Sequence, residues 1–116
     1  MRSNGLYAKG RMKSGVMNRT EELYAKTLEE KRLAGDVLWY KFEGITLKLA
    51  EGSRYTPDFV VMTSSGNLEF HEVKSIWIGD AKTKVKVAAS LFPMRFLAVY
   101  KLPKKDGGGW KVEEFE

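Results

Sequence analysis

Two short apolar segments separated by a polar turn constrain the fold of this chain more than any other feature. The segments read YTPDFVVMT (55–63) and NLEFHEVKS (67–75), and the linking residues SSGN are of the types that form tight turns. Apolar segments of this length on either side of such a turn predict an antiparallel β-hairpin. The middle of the chain is therefore expected to lie in a β-sheet.

The sequence around this hairpin predicts two helices. Asn18 and Glu21 have the spacing of a capping box, which predicts a helix from about residue 19 to residue 34. A second helix is predicted over 80–91, where apolar residues recur at steps of three and four. Pro93 closes that element, because proline disfavours helical backbone in the residue before it.

Four further segments have the length and composition of strands. They are VLWYKFE (37–43), ITLKLA (45–50), MRFLAVYKL (94–102) and, as a possible terminal edge strand, WKVEEFE (110–116). Trp39, Tyr40 and Phe42 in the first of them are expected in the core. The order α-β-β-β-β-α-β, with a possible last β, predicts an α/β (α+β) fold in which helices flank a mixed β-sheet.

The composition favours one folded domain inside a cell. A chain of 116 residues with 43% hydrophobic residues is large enough for one core, and its longest apolar runs are far too short to cross a bilayer. The absence of cysteine excludes disulfides, zinc thiolate sites and cysteine nucleophiles. We expect a cytoplasmic protein without membrane association, with a single domain over residues 18–116.

The excess of positive charge lies at the N-terminus. Residues 1–19 contain no acid and carry Arg2, Lys9, Arg11, Lys13 and Arg19, which accounts for the net charge of +5. Residues 1–17 are rich in Gly, Ser and Asn and lack apolar periodicity, so they are predicted to form a flexible basic arm. Such an arm suits contacts with nucleic-acid phosphates, although a charged run can also serve only to keep a chain in solution.

Acidic and basic side chains stand at the ends of the two hairpin strands. Glu72 and Lys74 alternate along one strand and point to the same face, and the partner strand can bring Asp58 beside them. Two converging carboxylates repel unless a cation neutralises them, which favours a hard divalent metal such as magnesium. A lysine beside that metal could hold or help to deprotonate a water that attacks a phosphodiester. The alternative is a cross-strand salt bridge without a catalytic role.

These residues carry a resemblance to a known enzyme family. The dipeptide PD (57–58), thirteen further residues and the tripeptide EVK (72–74) fall on the predicted hairpin. With the predicted order of elements, the chain resembles the PD-(D/E)XK nuclease superfamily. It is most similar to small phage-type endonucleases related to the endonuclease I class of Holliday-junction resolvases. The resemblance implies a restriction-endonuclease-like core over about residues 18–101.

The resemblance also implies roles for individual residues. Asp58 and Glu72 match the metal-binding acids of the family. The backbone carbonyl of Val73 matches an additional metal ligand, and Lys74 matches the catalytic lysine. The implied cofactor is Mg²⁺, with Mn²⁺ able to substitute, and no organic cofactor is implied. The implied partner is DNA, in particular branched or junction DNA, and a homodimer is expected because such substrates have two-fold related strands to cut.

Many members of the superfamily add an acid from the first helix, for which this chain offers Glu21 and Glu22. On a helix Glu21 stands in line with Tyr24 and Leu28 beside the packed face, whereas Glu22 lies on the wet face. Glu21 is therefore predicted as a further metal ligand and catalytic residue. Its carboxylate also belongs to the capping box, and the two roles compete for one side chain.

Other residues are predicted to contact DNA or to stay out of the chemistry. The predicted nucleic-acid-binding residues are Arg2, Lys9, Arg11, Lys13 and Arg19 near the N-terminus, Trp77 in an exposed loop, and Lys82, Lys84 and Lys86 on the second helix. His71 alternates with Glu72, so it is expected on the opposite face of the sheet, either packed or at the surface, rather than acting as a general base.

The sequence thus predicts a metal-dependent endonuclease acting on branched DNA, and the resemblance to phage-type endonucleases implies a role in DNA recombination and an origin in a phage or prophage, although the sequence itself does not identify the host. The alternative is a DNA-binding module that keeps the fold and does no chemistry. Replacing Asp58 or Lys74 by alanine separates the two, because binding should survive and cleavage should not.

Overall fold

The computed structural model describes residues 15–116, so Arg2, Lys9, Arg11 and Lys13 of the predicted arm lie outside the described range. The elements are α1 (Arg19–Leu33), β1 (Val37–Phe42), β2 (Leu47–Ala50), β3 (Ser53–Tyr55), β4 (Phe59–Thr63), β5 (Leu68–Lys74), α2 (Ala81–Leu91), β6 (Arg95–Lys101) and β7 (Trp110–Phe115), with a 3-10 turn at Lys104–Asp106. None of the helices in this range is long and apolar enough to span a membrane.

Five strands form one mixed sheet in the order β1-β4-β5-β6-β7. β5 and β6 run parallel, with α2 as the crossover between them, and the other neighbouring strands are antiparallel. The predicted mixed sheet with two helices is therefore confirmed. In the predicted hairpin, β4 and β5 pair Phe59 with His71 and Met62 with Leu68.

The region before this hairpin differs from the prediction. The predicted strand over 55–63 is two strands, β3 and β4, because Pro57 has no N–H to donate and interrupts the ladder between them. β2 and β3 form a separate two-stranded sheet. Five strands, rather than the four predicted, precede α2.

The caps of α1 agree with the sequence signals. Asn18 Oδ1 accepts a hydrogen bond from the Glu21 N–H over 2.8 Å, and Glu21 Oε1 accepts one from the Asn18 N–H over 2.9 Å. Gly35 follows the helix with φ 89°, a left-handed conformation that glycine adopts without steric cost. The helix buries Tyr24 and Leu28 against the sheet.

The sheet has an apolar core on each face. The cluster on the α1 face is formed by Tyr24, Leu28, Val37, Phe59, Val61, Val73 and Val99. The cluster beneath α2 and the β2–β3 hairpin includes Leu47, Tyr55, Val60, Phe70, Val85, Ala88, Phe96 and Ala98. In β5, Phe70 belongs to the cluster beneath α2 and Val73 to the cluster on the α1 face, because residues an odd number of positions apart point to opposite faces. The same alternation places the polar residues of this strand on both faces.

β1 is an edge strand, and the expectation that its aromatic residues lie in the core holds for Tyr40 and Phe42, which pack against the α1-face cluster, but not for Trp39. Trp39 is 43% exposed, and Tyr40 and Phe42 are only partly buried. The strand has a partner in the sheet on one side only, so its side chains are less completely covered than those of central strands.

Candidate functional site

The end of the β4–β5 hairpin that lies away from its turn brings Asp58 beside Glu72. The ladder pairs Phe59 with His71, so Asp58 stands across from Glu72 just beyond the last pair. The Asp58 N–H donates to Glu72 Oε1 over 3.0 Å, and the Val73 N–H donates to Asp58 Oδ2 over 2.8 Å. Each carboxylate therefore accepts a hydrogen bond from a backbone N–H of the opposite segment.

Tyr55 and Lys74 contact the two oxygens of Glu72. The Tyr55 hydroxyl donates to Oε1 over 2.8 Å, and Lys74 Nζ lies 3.6 Å from Oε2. Glu72 is 6% exposed, whereas the side chain of Lys74 is 26% exposed. The lysine therefore lies at the solvent edge of the group, where a substrate could reach it.

Glu21 joins this group from α1 and keeps its role in the cap. Its Oε1 accepts from the Asn18 N–H, and its carboxyl lies near enough to Asp58 and Lys74 for both to influence its pKa. Glu22, the other candidate, is exposed. The structure thus places the four predicted side chains together, and we call Glu21, Asp58, Glu72 and Lys74 the carboxylate cluster.

Burial dominates the electrostatics of the carboxylate cluster. It raises the pKa of Asp58 to about 8, and the negative charge of Glu72 adds to this effect. Burial also raises the pKa of Glu72, although the charge of Lys74 opposes it, and it raises the pKa of Glu21. The Asp58–Glu72 pair therefore binds a proton more readily than free carboxyl groups do when no cation is bound.

The oxygen atoms at this site suit a hard divalent cation. Among residues 15–116, hydrogen bonds occupy Asp58 Oδ2 and Glu72 Oε1, and the other oxygen of each carboxylate has no backbone donor. The carbonyl of Val73 leaves β5 on the same side as its N–H, which is the side of Asp58. Within residues 15–116, no three or more histidine, aspartate or glutamate side chains form a ready metal-binding group. The donors that these residues do offer are the two carboxylates of Asp58 and Glu72 and the Val73 carbonyl, a small all-oxygen set that suits an ion such as Mg²⁺, which keeps several of its waters.

Glu43 borders the carboxylate cluster and was not predicted from the sequence. Its φ of 49° is rare for a residue other than glycine, its N–H donates to the Asp58 carbonyl over 2.7 Å, and its Oε1 accepts the Gly15 N–H over 2.9 Å. Together with burial, its charge raises the pKa of Glu21. No local pattern marks this residue. Tyr55 was also missed, although its position three residues before Asp58 was an available signal.

Trp77 lies beside Lys74, but it is not the exposed loop residue that was expected. Its indole N–H donates to the Tyr100 hydroxyl over 2.8 Å, and its ring packs edge-on against Phe115 at 6.0 Å between centroids. Lys74 Nζ lies 5.1 Å from the centre of the Trp77 ring. The indole is therefore partly buried and held in place next to the carboxylate cluster.

The predicted DNA-contacting lysines of α2 differ in their partners. Lys82 Nζ is 3.3 Å from Glu113 Oε2, and Lys84 Nζ donates to the Arg54 carbonyl over 3.3 Å. Lys86 and Arg19 are exposed. Two of the three lysines on the helix thus already have partners within the protein.

A second basic surface was not predicted. It consists of the exposed residues Lys101, Lys104, Lys105 and Lys111, which we call the β6–β7 lysines. In the described part of the chain, none of them pairs with a carboxylate at salt-bridge distance. Lys74 pairs with Tyr100 in the parallel ladder, so this surface begins one residue further along, at the same end of the sheet as the carboxylate cluster.

His71 lies on the opposite face of the sheet, as predicted. Its Nε2–H donates to Glu69 Oε1 over 2.9 Å, and its Nδ1 is hydrogen-bonded to the Tyr24 hydroxyl over 2.6 Å. Arg95 donates to the other oxygen of Glu69 over 2.9 Å. We call these four residues the His71 network. The hydrogen bond from His71 lowers the pKa of Glu69 despite its burial.

Comparison with known proteins does not add a relative. No protein-family model, no curated protein and no solved structure matches this chain. The function must therefore be inferred from the geometry of the site and from the motif in the sequence.

Proposed function

We propose that this protein is a metal-dependent endonuclease that hydrolyses DNA phosphodiester bonds, with branched or junction DNA as the preferred substrate. The observation that carries the proposal is the carboxylate cluster, in which burial and the charge of Glu72 raise the pKa of Asp58 to about 8. Carboxylates with strongly perturbed pKa values beside a lysine are typical of sites that bind a cation or perform catalysis.

Asp58 and Glu72 would hold the metal ion, together with the Val73 carbonyl and Glu21. A bound Mg²⁺, or Mn²⁺ in its place, stabilises the charge that develops on the phosphate oxygens. Cation binding would displace the proton that the Asp58–Glu72 pair holds, because a metal-binding carboxylate must be ionised. The hydrogen bonds from the Asp58 and Val73 N–H groups hold both carboxylates in place for this task.

Lys74 would act on the attacking water. Glu72 Oε2 lies 3.6 Å from its Nζ and the ring of Trp77 lies on another side, so the position of the ammonium group is restricted. From there it can hydrogen-bond to a water that approaches the phosphorus in line. Its partial exposure leaves room for a DNA backbone.

The order of elements and the charge of the chain support the same proposal. A helix with Glu21, a hairpin with the two acids, a crossover helix and a parallel strand are similar to a restriction-endonuclease-like core. The net charge of +5 and the β6–β7 lysines suit the phosphates of DNA. A homodimer would supply two sites for the two strands of a junction.

The test is cleavage of a labelled four-way junction and of the matching linear duplex, with Mg²⁺, Mn²⁺ or EDTA. We expect symmetric, metal-dependent cuts in the junction by the wild type and none by Lys74→Ala. Glu21→Gln should slow cleavage, whereas the matched variant Glu22→Gln, one residue away on the exposed face, should cleave as the wild type does.

The absence of cleavage by the wild type on duplex, flap and junction DNA with either metal would overturn the proposal. If that protein still bound the junction tightly, the chain would be a DNA-binding module. Equal cutting of duplex and junction would leave a nuclease without the proposed preference for branched DNA.

A further inference from the structure

Tyr55 connects the small β2–β3 sheet to the carboxylate cluster. This sheet lies apart from the five-stranded sheet, and Tyr55 is the last residue of β3, paired with Leu47. Its side chain is 9% exposed and packs in the core beneath α2. A hydroxyl at such a position requires a hydrogen-bond partner, and here that partner is Glu72 Oε1 at 2.8 Å.

The two oxygens of Glu72 have different partners. Oε1 accepts from the Tyr55 hydroxyl over 2.8 Å and from the Asp58 N–H over 3.0 Å. Oε2 is the oxygen next to Lys74 Nζ, at 3.6 Å. Rotation of the carboxylate would break both hydrogen bonds to Oε1, so Oε2 stays directed toward the lysine.

We infer that Tyr55 is a positioning residue for the proposed metal site, an inference that rests on the proposed function. Its hydroxyl holds Glu72 in the orientation in which Oε2 is available to a divalent cation beside Lys74. Removal of a group that orients a metal ligand weakens metal affinity by about 10-fold to 100-fold. The Asp58 N–H remains when the hydroxyl is removed, so we expect the lower end of that range.

The decisive comparison is between Tyr55→Phe and Tyr40→Phe. Each removes one hydroxyl that donates to a glutamate, since the Tyr40 hydroxyl donates to Glu29 Oε1 over 2.9 Å at a site away from the carboxylate cluster. Both variants keep the ring, so the core stays filled. Mn²⁺ affinity is measured by calorimetry without DNA, and the order of the Glu72 side chain by ¹³C relaxation without metal.

For Tyr55→Phe we expect Mn²⁺ affinity to fall about 10-fold, greater motion of the Glu72 side chain, and a lower kcat on junction DNA with KM unchanged. Tyr40→Phe should match the wild type in all of these. Unchanged Mn²⁺ affinity and unchanged Glu72 order in Tyr55→Phe would overturn the inference.

Failure of the proposed function gives a different result. A wild-type protein that neither binds Mn²⁺ nor cleaves DNA would contradict the nuclease proposal and the metal part of this inference. The relaxation measurement would then still decide whether Tyr55 fixes the orientation of Glu72, because it needs neither metal nor DNA.

Discussion

β5 supplies residues to two buried polar groups of opposite character. Glu69 and His71 belong to the His71 network on the α1 face, and Glu72 and Lys74 belong to the carboxylate cluster. The two glutamates are almost equally buried, with Glu69 8% exposed and Glu72 6% exposed. The hydrogen bond from His71 nevertheless lowers the pKa of Glu69, whereas burial raises the pKa of Glu72.

The difference lies in the partners rather than in the burial. Each oxygen of Glu69 accepts a hydrogen bond from an N–H group, one on His71 and one on Arg95. Within residues 15–116, the three carboxyl groups of the carboxylate cluster face one lysine, so negative charge exceeds positive charge there. The His71 network is therefore satisfied by the protein itself, whereas the carboxylate cluster has a place for a cation.

The largest expected effect is the loss of cleavage in Asp58→Asn. The amide keeps the size of the side chain but is a poor metal ligand, so cleavage should fall on the order of 10³-fold. The free energy of unfolding should not decrease, because the variant removes a group that is costly to ionise in the fold. Single-turnover cleavage and urea denaturation measure the two quantities. Cleavage by Asp58→Asn at the wild-type rate would mean that Asp58 is not needed for catalysis and that the carboxylate cluster, like the His71 network, is only structural.

The two groups should also respond to pH with opposite signs. An unfolded Asp58 ionises near pH 4 and the folded one near pH 8, so between these values the folded state binds more protons and stability falls as pH rises. At its steepest the fall is roughly 1.4 kcal/mol per pH unit. Glu69 acts the other way, because its lowered pKa gives stability that is lost as pH falls through the acidic range.

The measurement is urea denaturation of the wild type and Asp58→Asn from pH 5 to pH 8 in EDTA. Asp58→Asn should flatten the decline, and Mg²⁺ should raise the stability of the wild type alone. A decline of the same slope in both proteins would mean that Asp58 is ionised in the metal-free fold.

Loss of Glu69 should reduce stability and spare catalysis. Glu69→Ala leaves a buried histidine without its acceptor, and we expect a loss of about 3 kcal/mol in the free energy of unfolding. The control is Glu114→Ala, since Glu114 pairs with the same Arg95 at 2.9 Å but is 41% exposed. That variant should lose much less stability, because solvent screens an exposed ion pair. A lower kcat for folded Glu69→Ala protein would mean that the His71 network also contributes to cleavage.

Local signals were sufficient for much of the fold and for the centre of the site. The capping box of Asn18 and Glu21 and the turn before β5 depend on neighbouring residues, so the sequence predicts them directly. Once the hairpin is predicted, the juxtaposition of Asp58 and Glu72 follows from strand pairing. His71 follows from the alternation of side chains along β5.

Long-range contacts could not be predicted in the same way. The separate β2–β3 sheet brings Tyr55 to Glu72 through packing beneath α2, and the left-handed conformation of Glu43 is unusual for its residue type. Trp77 could not be placed because its hydrogen bond goes to Tyr100, 23 residues away. Pro57 was an available signal for the break between β3 and β4, since proline rarely lies within a strand ladder.

The smallest expected effect concerns surface lysines, some of which pair with a carboxylate while others do not. Lys82 is paired with Glu113, whereas Lys104 and Lys105 have no such partner in the described chain. The experiment measures junction binding in EDTA by proteins that carry Asp58→Asn. Changing both Lys104 and Lys105 to glutamine should reduce the slope of log K against log salt concentration by up to about 0.9 for each phosphate that is no longer neutralised. Lys82→Gln should change it less, because its ammonium group is already partly neutralised. A larger change for Lys82→Gln would place the DNA over α2 instead of beside the β6–β7 lysines.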